Sequence, residues 1–482
     1  MERSFKTRPE LTPRTLAVAE AFGLGLDEAQ TWPVYREYKV EVNPGDVVYI
    51  TGESGGGKSL LLRELAEQMR GSPEFGRVLT DADVAVSPEE VPVEGLGATV
   101  DEALNHLSQA GLNEAFLWLR RYRELSDGQR YRYRLAKMLA SGAATWLFDE
   151  FAATLDRETA RIVAFSLQKT ARRTGRTVVV ATSHGDLFED LNPSVYIVKR
   201  LGAEVETSRY PNTLNAECTV LRDVEIKPAA WSDYRRLEFF HYRAGRPFGV
   251  RKVFAAWLRG RLVAAIVYSL APRLCAARNR FLGYAPSVEE VNRDFLLISR
   301  VVVHPKYRSI GLGARLVRET LPQAGSRIVE AIAVMARFNP FFAKAGMQQV
   351  AAQSSFQRGC RHLMERLQAY GFHPSLAPSE AYNLKVIAGL TEARREEVLN
   401  IIAKHPFLAT GDLYARKLPH AARVRADLAA DPNLLAKAVR SIAIRAQEKL
   451  YYIWRRESAE VPQKGGQGLL SASDSLGLAH GF

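Results

Sequence analysis

Between a short β-branched run at residues 47–51 and a stretch of helical periodicity at residues 59–69 lies Gly52-Glu53-Ser54-Gly55-Gly56-Gly57-Lys58-Ser59, which fits GxxxxGK[ST]. Successive glycines let backbone N–H groups turn inward on phosphate oxygens, and the helix that follows adds a favourable partial charge at its N-terminus. The order strand, loop, helix therefore predicts a phosphate loop in an α/β sheet. Gly52, Ser54, Gly55 and Gly57 shape the cradle, Lys58 reaches the β- and γ-phosphates, and the Ser59 hydroxyl ligates Mg²⁺.

Two further apolar strands are expected at residues 145–148 and 177–181, each after a helical stretch, so the sheet is largely parallel. Asp149 and Glu150 close the first of these strands. There Asp149 can hold Mg²⁺ and Glu150 can polarise the attacking water as a general base, where the bland alternative is an acidic helix cap. Leu125-Ser126-Asp127-Gly128-Gln129, Ala153-Thr154-Leu155-Asp156 and His184 follow the same order as the signature, D-loop and switch histidine of the ABC-type ATPases, which residues 1 to about 205 resemble. That resemblance implies ATP and Mg²⁺ as ligands, Ser126 and Gly128 contacting the γ-phosphate of a partner, Asp156 in the D-loop, His184 at the catalytic site, and an ATP-dependent homodimer. Residues 84–99, where that family places a Q-loop glutamine, contain none; Glu89 or Glu90 would substitute. Tyr35 and Tyr38 are the candidates to stack on adenine, unless they are core aromatics.

A second phosphate signature lies downstream. Arg308-Ser309-Ile310-Gly311-Leu312-Gly313 follows the apolar run 296–303, and Asn339-Pro340-Phe341-Phe342-Ala343-Lys344-Ala345-Gly346-Met347 comes after it. Together these resemble the acyl-CoA site of the GNAT acetyltransferases, over residues 220 to about 350. The resemblance implies acetyl-CoA or another acyl-CoA, its pyrophosphate held by the turn with Arg308, Gly311 and Gly313, and its pantetheine arm along the strand edge at Val301 and Val303. Phe341 and Phe342 stand where many members carry a proton-donating tyrosine. Glu330, His304 and His241 are the candidate bases, against the alternative that each is structural. The two halves together resemble the prokaryotic family in which an ABC-type ATPase is fused to a predicted GNAT acetyltransferase.

Composition bounds the rest. The 482 residues call for several domains. The layout expected is an ATP-binding α/β domain at 1–215, a mixed α/β GNAT-like domain at 216–358, a basic helical region at 359–460 and a disordered tail at 461–482. Cys218, Cys275 and Cys360 show neither disulfide nor zinc spacing, and no apolar stretch is long enough for a membrane span, so a cytoplasmic protein is expected. Residues 1–215 hold 26 Lys and Arg against 31 Asp and Glu, whereas residues 216–482 hold 40 against 22. The basic half suggests a nucleic acid or ribonucleoprotein as acyl acceptor, or a solvated basic surface around an anionic cofactor. A protein or small-amine acetyltransferase regulated by ATP, a non-catalytic acyl-CoA-sensing assembly factor and an ABC transporter ATPase subunit are the alternatives.

Overall fold

The computed structural model describes residues 1–7, 10–24, 30–241, 246–334, 339–350, 355–405 and 421–456. The chain opens with an antiparallel pair, β1 (Arg3–Thr7) and β2 (Gln30–Tyr35), joined through helix α1 (Pro13–Phe22), which Thr12 caps and Gly23 ends in the left-handed conformation.

A six-stranded sheet follows. Its strands are β3 (Val47–Gly52), β4 (Val78–Thr80), β5 (Thr145–Phe148), β6 (Thr177–Ala181), β7 (Val195–Lys199) and β8 (Val205–Arg209), in the order β4-β5-β6-β3-β7-β8. All pairs are parallel except β7 with β8. β5 and β6 are buried along their whole length and β3 along all but Gly52, as continuous apolar runs covered on both faces must be. Because β3, β5 and β6 run the same way, their carboxyl ends share one edge of the sheet, and that edge receives the phosphate loop, Asp149-Glu150 and the segment leading to His184. The intervening helices are α2 (Lys58–Arg70), α3 (Val100–Gln109), α4 (Ala115–Trp118), α5 (Asp127–Ala140), α6 (Arg157–Thr174) and α7 (Phe188–Leu191).

Helix α6 belongs to two cores. Ala160, Val163, Ala164, Leu167 and Ala171 pack into the core of the first sheet, whereas Ile162 and Phe165 pack with Cys218, Val220 and Leu221 into the core of the second. Residues one and two positions apart point to different faces of a helix, so one amphipathic element joins both units.

The second sheet has seven strands: β9 (Val224–Pro228), β10 (Val250–Leu258), β11 (Arg261–Leu270), β12 (Phe295–Val303), β13 (Ile328–Ala333), β14 (Gln348–Val350) and β15 (Leu450–Arg455), ordered β14-β15-β13-β12-β11-β10-β9. Only β12 and β13 are parallel to each other. Arg259-Gly260 joins β10 to β11 as a hairpin, with both residues at positive φ, 49° and 78°, the conformation a two-residue turn demands. Helices α8 (Trp231–Leu237), α9 (Ala276–Leu282), α10 (Val288–Asp294), α11 (Leu312–Thr320) and α12 (Phe341–Lys344) complete this unit.

The basic helical region expected over 359–460 is helical, but it ends before β15 and does not lie outside the second unit. Helices α13 (Ser355–Gln368), α14 (Glu380–Ala388) and α15 (Glu392–Ala403), with two more at Ala421–Ala430 and Pro432–Ala446, form their own apolar core, but they are inserted between β14 and β15. β15 pairs antiparallel with β13 on one side and β14 on the other, so the second sheet is completed by residues beyond the helices. Leu450-Tyr451-Tyr452-Ile453-Trp454 is an unbroken apolar run, and such a run carries no period that separates a buried strand from a helix. The surplus of basic charge lies mainly before the helices: residues 216–354 hold 22 Lys and Arg against 10 Asp and Glu. The tail expected at 461–482 lies outside the described residues. No helix among the described residues is long and apolar enough to cross a membrane.

Candidate functional site

The loop after β3 takes its shape from glycines at positive φ. Gly52, Gly55 and Gly57 have φ of 133°, 75° and 95°; a Cβ on Gly52 would lie 1.9 Å from the Lys199 carbonyl oxygen, and one on Gly57 would lie 2.4 Å from Val34 Cγ1. Ser54 and Gly55 are exposed, and Gly57 opens α2 with no side chain capping it, so the first-turn N–H groups of α2 are left for an external acceptor. Lys58 Nζ donates to the carbonyls of Gly52 at 3.0 Å and Glu53 at 2.6 Å, curling the ammonium over the loop. Burial lowers its pKa and Asp149 opposes that shift.

Ser59 Oγ donates to Asp149 Oδ1 at 2.9 Å. A hydroxyl and a carboxylate at hydrogen-bond distance, beside the loop and at the end of a buried strand, are two hard oxygen donors of the kind Mg²⁺ takes while keeping most of its waters. The residues fit both ATP and the ion. Glu150 is exposed at the strand end with φ of 46°, and its N–H is held by Asp149 Oδ1 at 3.0 Å. Phe151 N–H donates to the Ala181 carbonyl at 2.8 Å and fastens this turn to the end of β6, three residues before His184. His184 is half-buried; burial first, then the nearby Arg157 charge, holds its imidazole below the usual range and neutral.

Ser126 caps α5 and is exposed, with Gly128 partly exposed behind it against Leu155 and the Thr154 carbonyl. Asp156 caps α6, accepting from Thr159 N at 3.2 Å and Thr159 Oγ1 at 2.6 Å. Glu89 and Glu90 are not near the phosphate loop's partners: Glu89 pairs with Arg121 and Arg123, and Glu90 with Lys137 and Tyr133. Asp81, at the end of β4, is the carboxylate that stands beside Asp149, accepting its N–H through Oδ1 at 3.4 Å. Burial pushes the Asp81 carboxyl up. Nothing in the sequence marked it except its place after a short apolar strand. Tyr35 is wholly buried, a core aromatic; Tyr38 is partly exposed and shares a hydrogen bond with Thr207.

In the second sheet, β12 pairs with β13 only from Phe295 to Ile298. Beyond that point β12 keeps its pairing with β11 through Val303 but has no pairing with β13, so the sheet edge opens at Val301 as a slot for an extended arm requires, while the Val303 carbonyl accepts from Arg308 Nε. The turn then leads through Gly311, at φ of 98° with open space around it, into α11, whose N-terminus no side chain caps. Gly313 lies under the Phe341 ring. These residues fit an acyl-CoA pyrophosphate.

Two of the expected roles change. Glu330 is fully buried and accepts from Arg278 Nε at 2.6 Å and Nη2 at 2.8 Å, with Tyr451 as a third donor, so its charge is neutralised away from solvent and it is not a candidate base. Arg308 donates from Nε to Val303 O at 2.9 Å, from Nη1 to Asn113 O at 2.5 Å and from Nη2 to Phe240 O at 3.3 Å. Its guanidinium is a tie between the turn and the first unit. His304 is half-buried between Phe240 and Tyr307, and its Nδ1 accepts from Lys306 N at 3.3 Å. Burial, then Lys306, Arg308 and Arg261, lowers its pKa, leaving a neutral ring. His241 packs at 6.4 Å from the Tyr234 ring; Tyr242 and Arg243 lie outside the described residues. Phe342 is buried on Tyr452 of β15.

Comparison with known proteins agrees with this division. The Acetyltransferase (GNAT) family matches residues 220–347. The cytochrome c biogenesis ATP-binding export protein CcmA of Sphingopyxis alaskensis is 31% identical over 180 residues, which span 34% of this chain and 88% of that protein. CcmA of Zymomonas mobilis is 34% identical over 163 residues, 32% of this chain and 73% of that protein. Among solved structures, a dimeric post-hydrolysis ATP-binding cassette bound to ADP and Pi is similar with a TM-score of 0.32 and 20% identity, over 38% of this chain and 94% of that one. The chain belongs to the ATP-binding ABC ATPases and carries a GNAT acetyltransferase domain fused behind the ATPase.

Proposed function

We propose that this protein hydrolyses ATP in a homodimer and uses that cycle to control acyl transfer from acyl-CoA to a nucleic acid or ribonucleoprotein in the cytoplasm. The observation that carries the ATPase reading is the Ser59–Asp149 pair at 2.9 Å beside the exposed Glu150. Mg²⁺ held there neutralises phosphate charge. Glu150 takes the proton of a water as the water oxygen attacks the γ-phosphorus and the bond to the β–γ bridging oxygen breaks, releasing ADP; Lys58 leaves its carbonyl partners for the phosphates, and neutral His184 accepts or donates a hydrogen bond at the same edge. Ser126 is exposed and Gly128 partly exposed in the single chain, which supports their use on a second copy's nucleotide.

In the second unit the strand edge beyond Ile298, at Val301 and Val303, and the amides after Gly311 hold acyl-CoA, and His304 and His241 remain as candidate bases. The acceptor attacks the thioester carbonyl and the thiolate leaves; Phe341 and Phe342 have no proton to give it. The basic surplus of residues 216–354 supports a polyanionic acceptor. Glu150→Gln tests the reading: hydrolysis falls by about two orders of magnitude or more while ATP binding persists and a dimer accumulates on gel filtration. Undiminished hydrolysis removes the assignment. For the acceptor, binding to RNA or DNA that weakens steeply with salt is expected, and absence of binding at low salt removes it.

A membrane subunit as partner is a second reading, supported by the export role in the name of CcmA and by exposed Phe116 and Leu119. Recovery of the protein with a membrane subunit after detergent extraction would favour it.

A further inference from the structure

The acyl-CoA turn is seated on two pieces of the ATPase. Lys306, two residues before Arg308, places Nζ 2.6 Å from Asp156 Oδ1 and 3.0 Å from Glu158 Oε2. Tyr307 donates its hydroxyl to Glu158 at 2.9 Å, and Arg261 pairs with the same carboxylate. On the other side, Arg308 Nη1 donates to the Asn113 carbonyl at 2.5 Å. Two residues before Asn113, the Gly111 carbonyl accepts from Arg132 Nη1 at 2.7 Å, and Arg132 Nε donates to the Gly128 carbonyl at 3.2 Å.

These contacts form continuous routes within one chain. From Glu150, a tight turn leads to Asp156; it is closed by Ala153 N–H on Glu150 O at 3.0 Å and Leu155 N–H on Ala152 O at 3.1 Å, and holds Glu150 and Ala152 at positive φ. Such a turn transmits displacement because it has little conformational slack. Asp156 then reaches Lys306. From Gly128, Arg132 and the 111–113 segment reach Arg308. The acyl-CoA turn is thus anchored at Asp156, where the turn after Glu150 ends, and, through Asn113 and Arg132, at the helix that begins at exposed Ser126.

We propose that Lys306 couples the two sites: ATP-driven rearrangement of the turn from Glu150 to Asp156 withdraws the Asp156 carboxylate from Lys306 and thereby strengthens acyl-CoA binding at the Arg308–Gly313 turn. This rests on the reading of both sites given above. The sign follows from Coulomb's law. In the structure the Lys306 ammonium is neutralised by two carboxylates, and a carboxylate beside the turn repels an incoming diphosphate; removing it leaves a net positive charge there. By linkage, acyl-CoA must tighten ATP binding by the same factor.

The test uses the full-length wild-type protein. Acetyl-CoA affinity is measured by calorimetry with and without a non-hydrolysable ATP analogue and Mg²⁺, and analogue affinity with and without acetyl-CoA. The expected result is a tightening of about fivefold or more, equal in both directions. Two measurable affinities that are independent, or that weaken each other, overturn the coupling and leave the two site assignments standing; failure of acetyl-CoA to bind under either condition overturns both the coupling and the acyl-CoA site. Lys306→Ala is expected to bring the factor towards one and Lys306→Arg to keep it, a rescue that a merely structural role would not give. Unchanged coupling in Lys306→Ala removes the lysine from the route.

Discussion

Arg278 and Glu330 meet as a bidentate ion pair with neither side chain exposed to solvent, Nε to Oε1 at 2.6 Å and Nη2 to Oε2 at 2.8 Å. Arg278 Nη2 also donates to the Pro272 carbonyl at 2.8 Å, and the guanidinium lies 5.0 Å over the Phe295 ring. The pair pins α9 to β13, and Tyr451 on the neighbouring β15 joins it. Removing one partner of a buried pair strands the other charge, so Arg278→Ala or Glu330→Ala is expected to cost about 3–5 kcal/mol in urea unfolding. Replacing both by apolar residues recovers much of that loss, because the desolvation penalty goes with the charges. If Glu330 were the catalytic base instead, Glu330→Gln would abolish acyl transfer in a protein of near-normal stability.

Two glycines that both sit at positive φ differ in surroundings. Gly52 has φ of 133° and the Lys199 carbonyl oxygen where its Cβ would go, whereas Gly311 has φ of 98° and nothing within reach. Gly52→Ala must displace backbone, and ATP affinity is expected to fall at least about tenfold with a lowered Tm. Gly311→Ala meets only dihedral strain, about 1–3 kcal/mol, and is expected to keep ATP binding intact. Titration with ATP and thermal unfolding of both variants check the contrast; equal losses would contradict the packing seen around the loop.

The parts of this protein that were legible in the sequence are those in which chemistry and period coincide. A Gly-rich loop between a β-branched run and a helix has few alternatives, and residues 47–52, 145–148 and 177–181 fold as buried parallel strands because their uninterrupted apolar side chains need cover on both faces. β15 was not legible, since its partners β13 and β14 lie more than 95 residues upstream and its apolar run has no turn signal before it. Glu330 looked available because a sequence shows a carboxylate but not the Arg278 that a separate helix brings to it. Arg308 was misread for the same reason: its partner is the carbonyl of Asn113, which has no side-chain signature.

Asp81 is the residue whose function the fold alone discloses. Its Oδ1 accepts the Asp149 N–H at 3.4 Å, and burial raises its carboxyl. Asp81→Asn keeps an acceptor for that N–H and removes a carboxylate from the neighbourhood of the metal pair, so the Mg²⁺ concentration for half-maximal hydrolysis is expected to rise several-fold with little change in maximal rate. Asp81→Ala also frees the Asp149 backbone, and both quantities are expected to worsen. Steady-state ATPase assays across a Mg²⁺ series separate the two; identical behaviour of the variants would show that the hydrogen bond to Asp149 does not matter.

The Asp156–Lys306 contact gives the interface between the two units an acid-dependent component. Burial alone would raise the Asp156 carboxyl, but hydrogen bonds from Lys306 and Thr159 outweigh it and bring it down from the ordinary 3.8 to about 2. A carboxyl whose folded-state value is depressed adds stability above its unfolded value, and loses it as pH falls through the folded one. The contribution is therefore complete above pH 4 and is lost between about pH 4 and pH 2. Because Asp156 is largely exposed, water screens the pair and the effect is modest. The urea midpoint of wild type should exceed that of Lys306→Ala by a constant margin from pH 8 to about pH 5, and the margin should narrow on acidification below pH 4. A margin that stays constant below pH 4 would mean that Lys306 stabilises the interface through its packing on Tyr307 rather than through Asp156.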